Sequence, residues 1–144
     1  MKKKWMWIIV ILYIGFIFSN SLQVGETSGN LSKGITLTIL NFFHTIGIQI
    51  PFNTFHHFIR KLAHFLEYFG LGLLVVFAIA KQPLIKSKTI NYFTFWIIPP
   101  SIDETIQHFI PGRYGCITDV LIDMSGFLVA TIILTCILKR LKKV

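Results

Sequence analysis

Residues 101–126, SIDETIQHFIPGRYGCITDVLIDMSG, concentrate polar side chains that could carry out acid–base or anion-binding chemistry. The stretch contains carboxylates and further polar groups, which are Asp103, Glu104, Asp119, Asp123, Gln107, His108 and Arg113. Carboxyl groups and imidazoles can transfer protons, and a guanidinium can hold a phosphate or carboxylate through two parallel hydrogen bonds. These residue types therefore indicate a catalytic site or a binding site for an anionic molecule.

A second polar stripe lies earlier in the chain, in HHFIRKLAHFLEYFG at residues 56–70. Arg60, His64 and Glu67 are spaced at i, i+4 and i+7, so they share one face of a helix. In the first cluster the same spacing joins Asp103 to Gln107. Residues at this helical spacing also form a stripe of carboxylates and small residues, which are Asp119, Asp123, Gly126 and Ala130. Three polar helix faces are therefore predicted.

The composition of the chain places these faces in a membrane protein. Hydrophobic residues make up 53% of the 144 residues and charged residues only 14%, whereas an average soluble domain is roughly one-quarter charged. Ionisable side chains are costly inside a bilayer and usually serve a function there. We therefore expect the polar faces to converge on one protected cavity that is open to the external surface.

Four apolar segments can reach the length of about 20 residues that a membrane-spanning helix needs. They cover about residues 5–22, 60–80, 90–110 and 117–138. The even alternation of membrane barrel strands is absent. The predicted fold class is an all-α membrane protein, a single domain over residues 1–144 formed by a bundle of four transmembrane helices with an external interfacial helical segment between helices 1 and 2. Pro99-Pro100 is expected to kink or locally unwind the third helix.

Basic residues predict the orientation. They precede the first segment, separate the second from the third and follow the fourth, as Lys2, Lys3, Lys4, Lys81, Lys86, Lys88, Lys139, Arg140, Lys142 and Lys143. The positive-inside rule then places both termini in the cytoplasm and the polar faces toward the outside. This topology explains the net charge of +8, so no nucleic-acid partner is predicted. Cleavage of the first segment as a signal peptide near residues 19–21 is the competing interpretation.

Three other uses of the polar residues compete with anion binding. A divalent metal could be held by imidazole and carboxylate groups, which are those of His64, Glu67, Glu104, His108, Asp119 and Asp123. Their spacing matches no metal signature, so neither a metal nor a cofactor is predicted. Ser19 or Ser21 could act as a nucleophile with His64, although no nucleophile elbow surrounds either serine. Arg60 or Arg113 could simply pair with Glu67 or Asp119 to neutralise buried charge.

Three motifs in order resemble the VanZ-like family of bacterial membrane proteins. They are RKLAHFLEY at residues 60–68, DETIQHFIPGR at 103–113 and TDVLIDMSG at 118–126, preceded by SNSLQ at 19–23. The founding member of that family is associated with resistance to the glycopeptide antibiotic teicoplanin. Carried over by position, the polar pattern of the family falls on Ser19, Ser21, Gln23, Arg60, Lys61, His64, Glu67, Tyr68, Asp103, Glu104, Gln107, Pro111, Gly112, Arg113, Asp119, Asp123 and Gly126.

The polar faces and the resemblance together suggest roles for these residues. The expected catalytic acids and bases are His64, Glu67, Asp103 and Glu104. The expected substrate-binding residues are Ser21, Arg60, Tyr68, Gln107, Arg113, Asp119 and Asp123. The resemblance implies a place in the bacterial cytoplasmic membrane, with the lipid bilayer as a partner, and a contribution to teicoplanin resistance. The polar faces suggest that the site binds or modifies an anionic or lipid-linked envelope molecule. The alternative is a non-enzymatic small permease or an accessory subunit of a membrane assembly.

Overall fold

The structure is a computed structural model that describes residues 5–141 and consists of five α-helices. They are α1 (Trp5–Ser21), α2 (Gly25–Thr45), α3 (Phe52–Lys81), α4 (Lys88–Phe109) and α5 (Ile117–Leu141). No strand occurs between residues 5 and 141, so the predicted all-α class is confirmed. The basic residues at 2–4 and 142–143, which entered the orientation prediction, lie outside the described residues.

Helices α3 and α5 share the most extensive helix contact of the bundle. Glycines allow this close approach, because a Cβ atom added to Gly72 would lie 2.7 Å from the carbonyl oxygen of Phe127. A Cβ atom on Gly126 would collide with the carbonyl oxygen of Phe65. Small residues at such a contact let two helix backbones approach closely, as is common between membrane helices. This contact brings the polar faces of α3 and α5 together.

Helix α1 closes the apolar core against α3 and α4. Trp7 stacks on Phe95 of α4, and its indole Nε1 donates a hydrogen bond to the carbonyl oxygen of Gln82 at 2.8 Å. The core consists of apolar and aromatic side chains from α1, α3 and α5, which are Trp7, Val10, Ile17, Tyr68, Leu71, Val75, Ala78, Ile79 and Phe127. This packing fixes the C-terminal end of α1 near the polar face of α3.

Helix α2 occupies the segment that was predicted to form an interfacial helix. It leaves α1 at a bend of 100° and packs on α3. The backbone N–H of Gly25 donates to the carbonyl oxygen of Pro111 at 3.0 Å, and a side chain at residue 25 would collide with Gly112. The start of α2 is thereby tied to the turn between α4 and α5.

Helix α4 continues without interruption through Pro99 and Pro100, so the predicted local unwinding does not occur. Each proline removes one backbone donor, but both are buried in the bundle, where packing holds the helical path. The indole Nε1 of Trp96 donates to the carbonyl oxygen of Met124 at 2.9 Å, which links the middle of α4 to α5. The helix therefore presents Asp103, Glu104 and Gln107 from a continuous backbone.

Within residues 5–141 two helices, α3 and α5, are long and apolar enough to cross a membrane. A third span results if α1 and α2 are counted as one bent span. Helix α1 alone has 17 residues, slightly fewer than the roughly 20 of a typical span, and α4 carries two acidic residues in its second half. Helix α3 begins at Phe52, ahead of the predicted start near residue 60, because the aromatic segment 52–59 is part of the same helix. Apolar helices of this length are those of a membrane protein.

Candidate functional site

The polar residues meet where the end of α1, the first half of α3, the end of α4 and the start of α5 come together. Asp103 is fully buried there. The hydroxyl of Ser21 donates to Asp103 Oδ1, and Gln107 Nε2 donates to Asp103 Oδ2 at 3.2 Å. Ser21 thus joins two residues of α4 that lie more than eighty positions away along the chain. The hydrogen bond between Gln107 and Asp103 confirms the prediction that these two residues share one face of the helix.

His64 of α3 faces Asp123 of α5. Its Nδ1 atom lies 3.3 Å from Asp123 Oδ1, but neither atom makes an aligned hydrogen bond within residues 5–141. Asp123 is fully buried, and its second oxygen also has no hydrogen-bond partner there. Ligating atoms of His64, Asp103 and Asp123 all lie within 4.8 Å of one another. We refer to these three residues as the His64 cluster.

A cavity of about 220 Å³ opens beside the cluster, between α1, α2 and α3. It is lined by polar and apolar residues, which are Asn20, Ser21, Gln23, Ser28, Leu31, Ser32, Ile35, Ile59, Arg60, Ala63, His64, Glu67 and Arg113. We call it the arginine cavity, because it contains two arginines. Five of the predicted site residues line it, namely Ser21, Arg60, His64, Glu67 and Arg113. Helix α2 forms one wall, so the segment that was predicted to be interfacial belongs to the site.

Asn20 organises the rim of the arginine cavity and was not among the predicted site residues. Its Nδ2 atom donates to Glu67 Oε1 at 2.8 Å, while its carbonyl oxygen accepts a hydrogen bond from Arg113 Nη2 at 2.9 Å. The residue stands within SNSLQ, the motif that begins in the last turn of α1, so a signal for it was present in the sequence. Asn20 holds Glu67 and Arg113 in place at the same time.

The turn between α4 and α5 carries Arg113 over the bundle. Gly112 has a φ of 75°, a backbone conformation that side chains disfavour. Burial, followed by the nearby charge of Arg60, lowers the pKa of Arg113 below its ordinary value. Arginine nevertheless keeps its charge in proteins. Two guanidinium groups therefore share the opening of the cavity.

The two arginines have no carboxylate partner in the part of the chain that the structure describes. Among residues 5–141 neither Arg60 nor Arg113 forms a salt bridge within 4.0 Å, so the proposed pairing with Glu67 or Asp119 does not occur. Asp119 instead forms a salt bridge with Lys61, whose Nζ atom lies 3.2 Å from Asp119 Oδ1. This pair lines a second cavity of about 170 Å³, which also contacts Arg60, His64 and Arg113. Asp119 therefore lies beside the site, engaged with a lysine.

Glu104 and Tyr68 lie apart from the arginine cavity. Glu104 Oε1 accepts a hydrogen bond from the backbone N–H of Cys116, and its other oxygen is buried without a partner in the described chain. Glu104 lines a separate cavity of about 330 Å³ together with His108. Tyr68 is fully buried in the core, and its hydroxyl has no hydrogen-bond partner among residues 5–141. The expected convergence of all the polar residues on one cavity is therefore incomplete.

The serines do not form a nucleophilic triad in this arrangement. Ser21 donates its hydroxyl hydrogen to Asp103, and Ser19 donates to the carbonyl oxygen of Phe16 at 2.7 Å. Neither hydroxyl is hydrogen-bonded to His64. A serine nucleophile needs a base within hydrogen-bond reach to take its proton. The geometry instead gives Ser21 the role of a donor that orients Asp103.

Comparison with known proteins identifies the family. No curated protein and no solved structure matches the chain. The VanZ/LLP1 family model matches residues 5–139, nearly the whole chain, including every residue of the arginine cavity and of the His64 cluster. This match confirms the resemblance carried by the three sequence motifs. The chain belongs to the VanZ/LLP1 family.

Proposed function

We propose that the protein is a VanZ-like component of the bacterial cell envelope whose arginine cavity binds the anionic head group of a membrane lipid or lipid-linked wall precursor. Binding is the proposed activity, with Arg60 and Arg113 as the residues that hold the anion. Ser21 and Glu67 complete the polar lining of the same cavity. Apolar residues of α2 and α3 beside it suit the first part of an acyl or polyprenyl chain.

The observation that carries this proposal is the pair of uncompensated arginines. Neither arginine has a carboxylate within 4.0 Å in the described chain. Moreover, Nε of Arg113 is buried without a hydrogen-bond partner among residues 5–141. A buried donor left unpaired is costly, and a bound phosphate or carboxylate would supply its acceptor. The planar guanidinium is suited to this recognition, because it can donate two parallel hydrogen bonds to one anion.

The size of the arginine cavity supports a head group as the ligand. Its volume of about 220 Å³ is below the roughly 300 Å³ at which pockets for drug-sized molecules begin. A phosphate with a small polar substituent would fill such a space, while the lipid chains remain outside against apolar helix faces. The cavity thus favours the head group of a lipid over a whole soluble metabolite.

We further propose four spans, α1, α3, α4 and α5, with both termini in the cytoplasm and α2 at the external surface. In this arrangement Lys81, Lys86 and Lys88 lie inside, as the positive-inside rule requires, and the arginine cavity faces outward. Counting α1 and α2 as one bent span gives three spans, without α4. Residues 46–51 would again lie outside, but the turn between α4 and α5 would lie on the inner side. The two arrangements therefore differ in the side on which that turn lies.

Cysteine labelling of intact cells tests this topology. In a Cys116→Ser/Cys136→Ser background, Gln49→Cys and Tyr114→Cys are each expected to react with a membrane-impermeant maleimide, because residues 49 and 114 are exposed and lie on the outer side in the four-span arrangement. Lys86→Cys, which is also exposed, is expected to react only after the cells are lysed. Labelling of Lys86→Cys from outside, or protection of Gln49→Cys or Tyr114→Cys in intact cells, would refute the four-span arrangement.

We also propose that the chain contributes to teicoplanin resistance, as the family resemblance implies, and a teicoplanin-susceptibility assay is the functional test. A strain in which the gene is deleted is expected to become more susceptible, and the wild-type chain is expected to restore resistance. A chain carrying both Arg60→Gln and Arg113→Gln should not restore it, since the cavity would no longer attract an anion. Arg140→Gln, an exposed change in the last turn of α5, serves as the matched control, and immunoblots of membranes verify equal abundance. Equal susceptibility with and without the gene would contradict the resistance role.

A further inference from the structure

We propose that the His64 cluster binds a divalent transition-metal ion, such as Mn²⁺ or Zn²⁺, at the inner wall of the arginine cavity. Imidazole nitrogen and carboxylate oxygen are ligands that both ions accept. One such atom from each of His64, Asp103 and Asp123 lies within 4.8 Å of the others. The three ligands come from three different helices, a combination that spacing along the sequence does not reveal.

The state of Asp123 is the observation that points to a ligand. Its side chain is 0% exposed, and neither of its oxygens has a hydrogen-bond partner among residues 5–141. Among residues 5–141 the one basic side chain within 4.0 Å of Asp123 is His64, whose Nδ1 atom at 3.3 Å is itself without a hydrogen bond. Buried carboxylates are normally paired, hydrogen-bonded or bound to a metal. A cation between Asp123 and His64 would satisfy both groups.

The charges of the cluster suit a divalent ion. Asp103 and Asp123 are two fully buried carboxyl groups in close proximity, and two carboxylates that share a site repel each other. Lys61, which lines a neighbouring cavity with His64, is engaged with Asp119, and a protonated His64 would supply one positive charge only. A divalent cation with a neutral His64 balances both carboxylates.

The surroundings of Asp103 resemble the outer shell of a metal ligand. Ser21 donates to one of its oxygens and Gln107 to the other. Hydrogen bonds of this kind orient a ligating carboxylate and are a regular part of metal sites. Each carboxylate oxygen has a second lone pair, so Asp103 can still coordinate an ion. Its side chain is therefore held in position before any metal arrives.

The distances require only a small contraction. Two ligands at about 2.1 Å from one ion are at most about 4.2 Å apart, whereas the cluster atoms lie within 4.8 Å of one another. A shift of a few tenths of an ångström per side chain closes this difference. Because three protein ligands leave a position open, and His64 also lines the arginine cavity, the ion would be reached from that cavity. Metal binding does not depend on anion binding by the arginines.

Metal content of the purified protein tests the site. The chain is purified in detergent, freed of its affinity tag, stripped with chelator, equilibrated with Mn²⁺ or with Zn²⁺ and desalted. Mass spectrometry of the elements is expected to find one ion per chain in the wild type and a loss to background in Asp123→Asn and His64→Gln. Glu26→Gln and His57→Gln, which alter an exposed carboxylate and an exposed histidine outside the cluster, should keep the ion.

Spectroscopy of the wild type tests the proposal without the cluster variants, in case one of them fails to fold. The electron spin echo modulation of the Mn²⁺-loaded wild type is expected to show coupling to one imidazole nitrogen, from His64. A folded wild type that retains neither ion would overturn the proposal. Equal retention by the cluster variants and by the two controls, or Mn²⁺ without nitrogen coupling, would identify the metal as an adventitious ion only and would likewise overturn it.

Discussion

The affinity of the purified chain for a short-chain phosphatidylglycerol is expected to fall by about tenfold to a hundredfold when Arg113 is replaced by glutamine. The reason is that hydrogen bonds to a charged group contribute about 1.5–3 kcal/mol each, and glutamine supplies neither the charge nor the planar fork of donors. Arg113→Lys, which keeps the charge, should recover only part of this loss, because lysine cannot make the bidentate contact. Isothermal titration in a neutral detergent measures the affinity.

Replacing Arg60 tests the same proposal with less disturbance of contacts within the protein. Arg113 also donates to the carbonyl oxygen of Asn20, so its replacement disturbs a contact within the protein. Arg60 is exposed and forms no salt bridge within the described chain, so Arg60→Gln should weaken lipid binding while leaving the thermal stability near that of the wild type. Arg140→Gln is the control for a lost arginine far from the cavity.

A neutral lipid separates head-group recognition from general lipid binding. Diacylglycerol of the same chain length, which carries no phosphate, should bind weakly to the wild type and equally weakly to the Arg60→Gln and Arg113→Gln variants. Unchanged affinity for phosphatidylglycerol in both arginine variants would refute the arginine cavity as its site. Metal content is measured separately, so failure of this prediction would not contradict the proposal that the His64 cluster binds a metal ion.

Helical periodicity predicted which residues share a face, but it could not predict how each helix is rotated in the bundle. Asp103 and Glu104 are neighbours, and successive residues of a helix point about 100° apart. Both were predicted to join one site, yet Asp103 meets Ser21 whereas Glu104 turns to the backbone of Cys116. The rotation of α4 depends on packing, including the hydrogen bond between Trp96 and Met124, which spacing does not encode.

Contacts between residues that are far apart in the sequence were the other feature that the sequence could not predict. Arg60, His64 and Glu67 were correctly grouped, since their positions follow from one helix, and all three line the arginine cavity. The role of Asn20 depends on the place where α1 ends against α3, because its partner Glu67 is 47 residues away. An asparagine after an apolar helix is also typical of an ordinary helix end. Its position at the cavity therefore became evident only from the packing of α1.

Replacing Gly126 by alanine is expected to destabilise the protein by about 1–3 kcal/mol, the usual range for overpacking. The added methyl group would collide with the backbone carbonyl oxygen of Phe65 and approach the backbone nitrogen of Phe69 to 3.2 Å. A backbone cannot rotate out of the way as a flexible side chain can. Helices α3 and α5 would have to separate along their most extensive contact. Thermal unfolding in detergent, followed by circular dichroism, should show a lower midpoint.

Gly15→Ala is the matched control, because it makes the same substitution within a helix at a position where the new Cβ atom has no neighbour within 4 Å. Alanine favours helix formation over glycine by about 1 kcal/mol, so this variant should unfold at the wild-type temperature or slightly above it. If Gly126→Ala unfolded at the same temperature as Gly15→Ala, the close contact of α3 and α5 would be refuted. The approach of His64 to Asp123 depends on that contact and would then be in doubt as well.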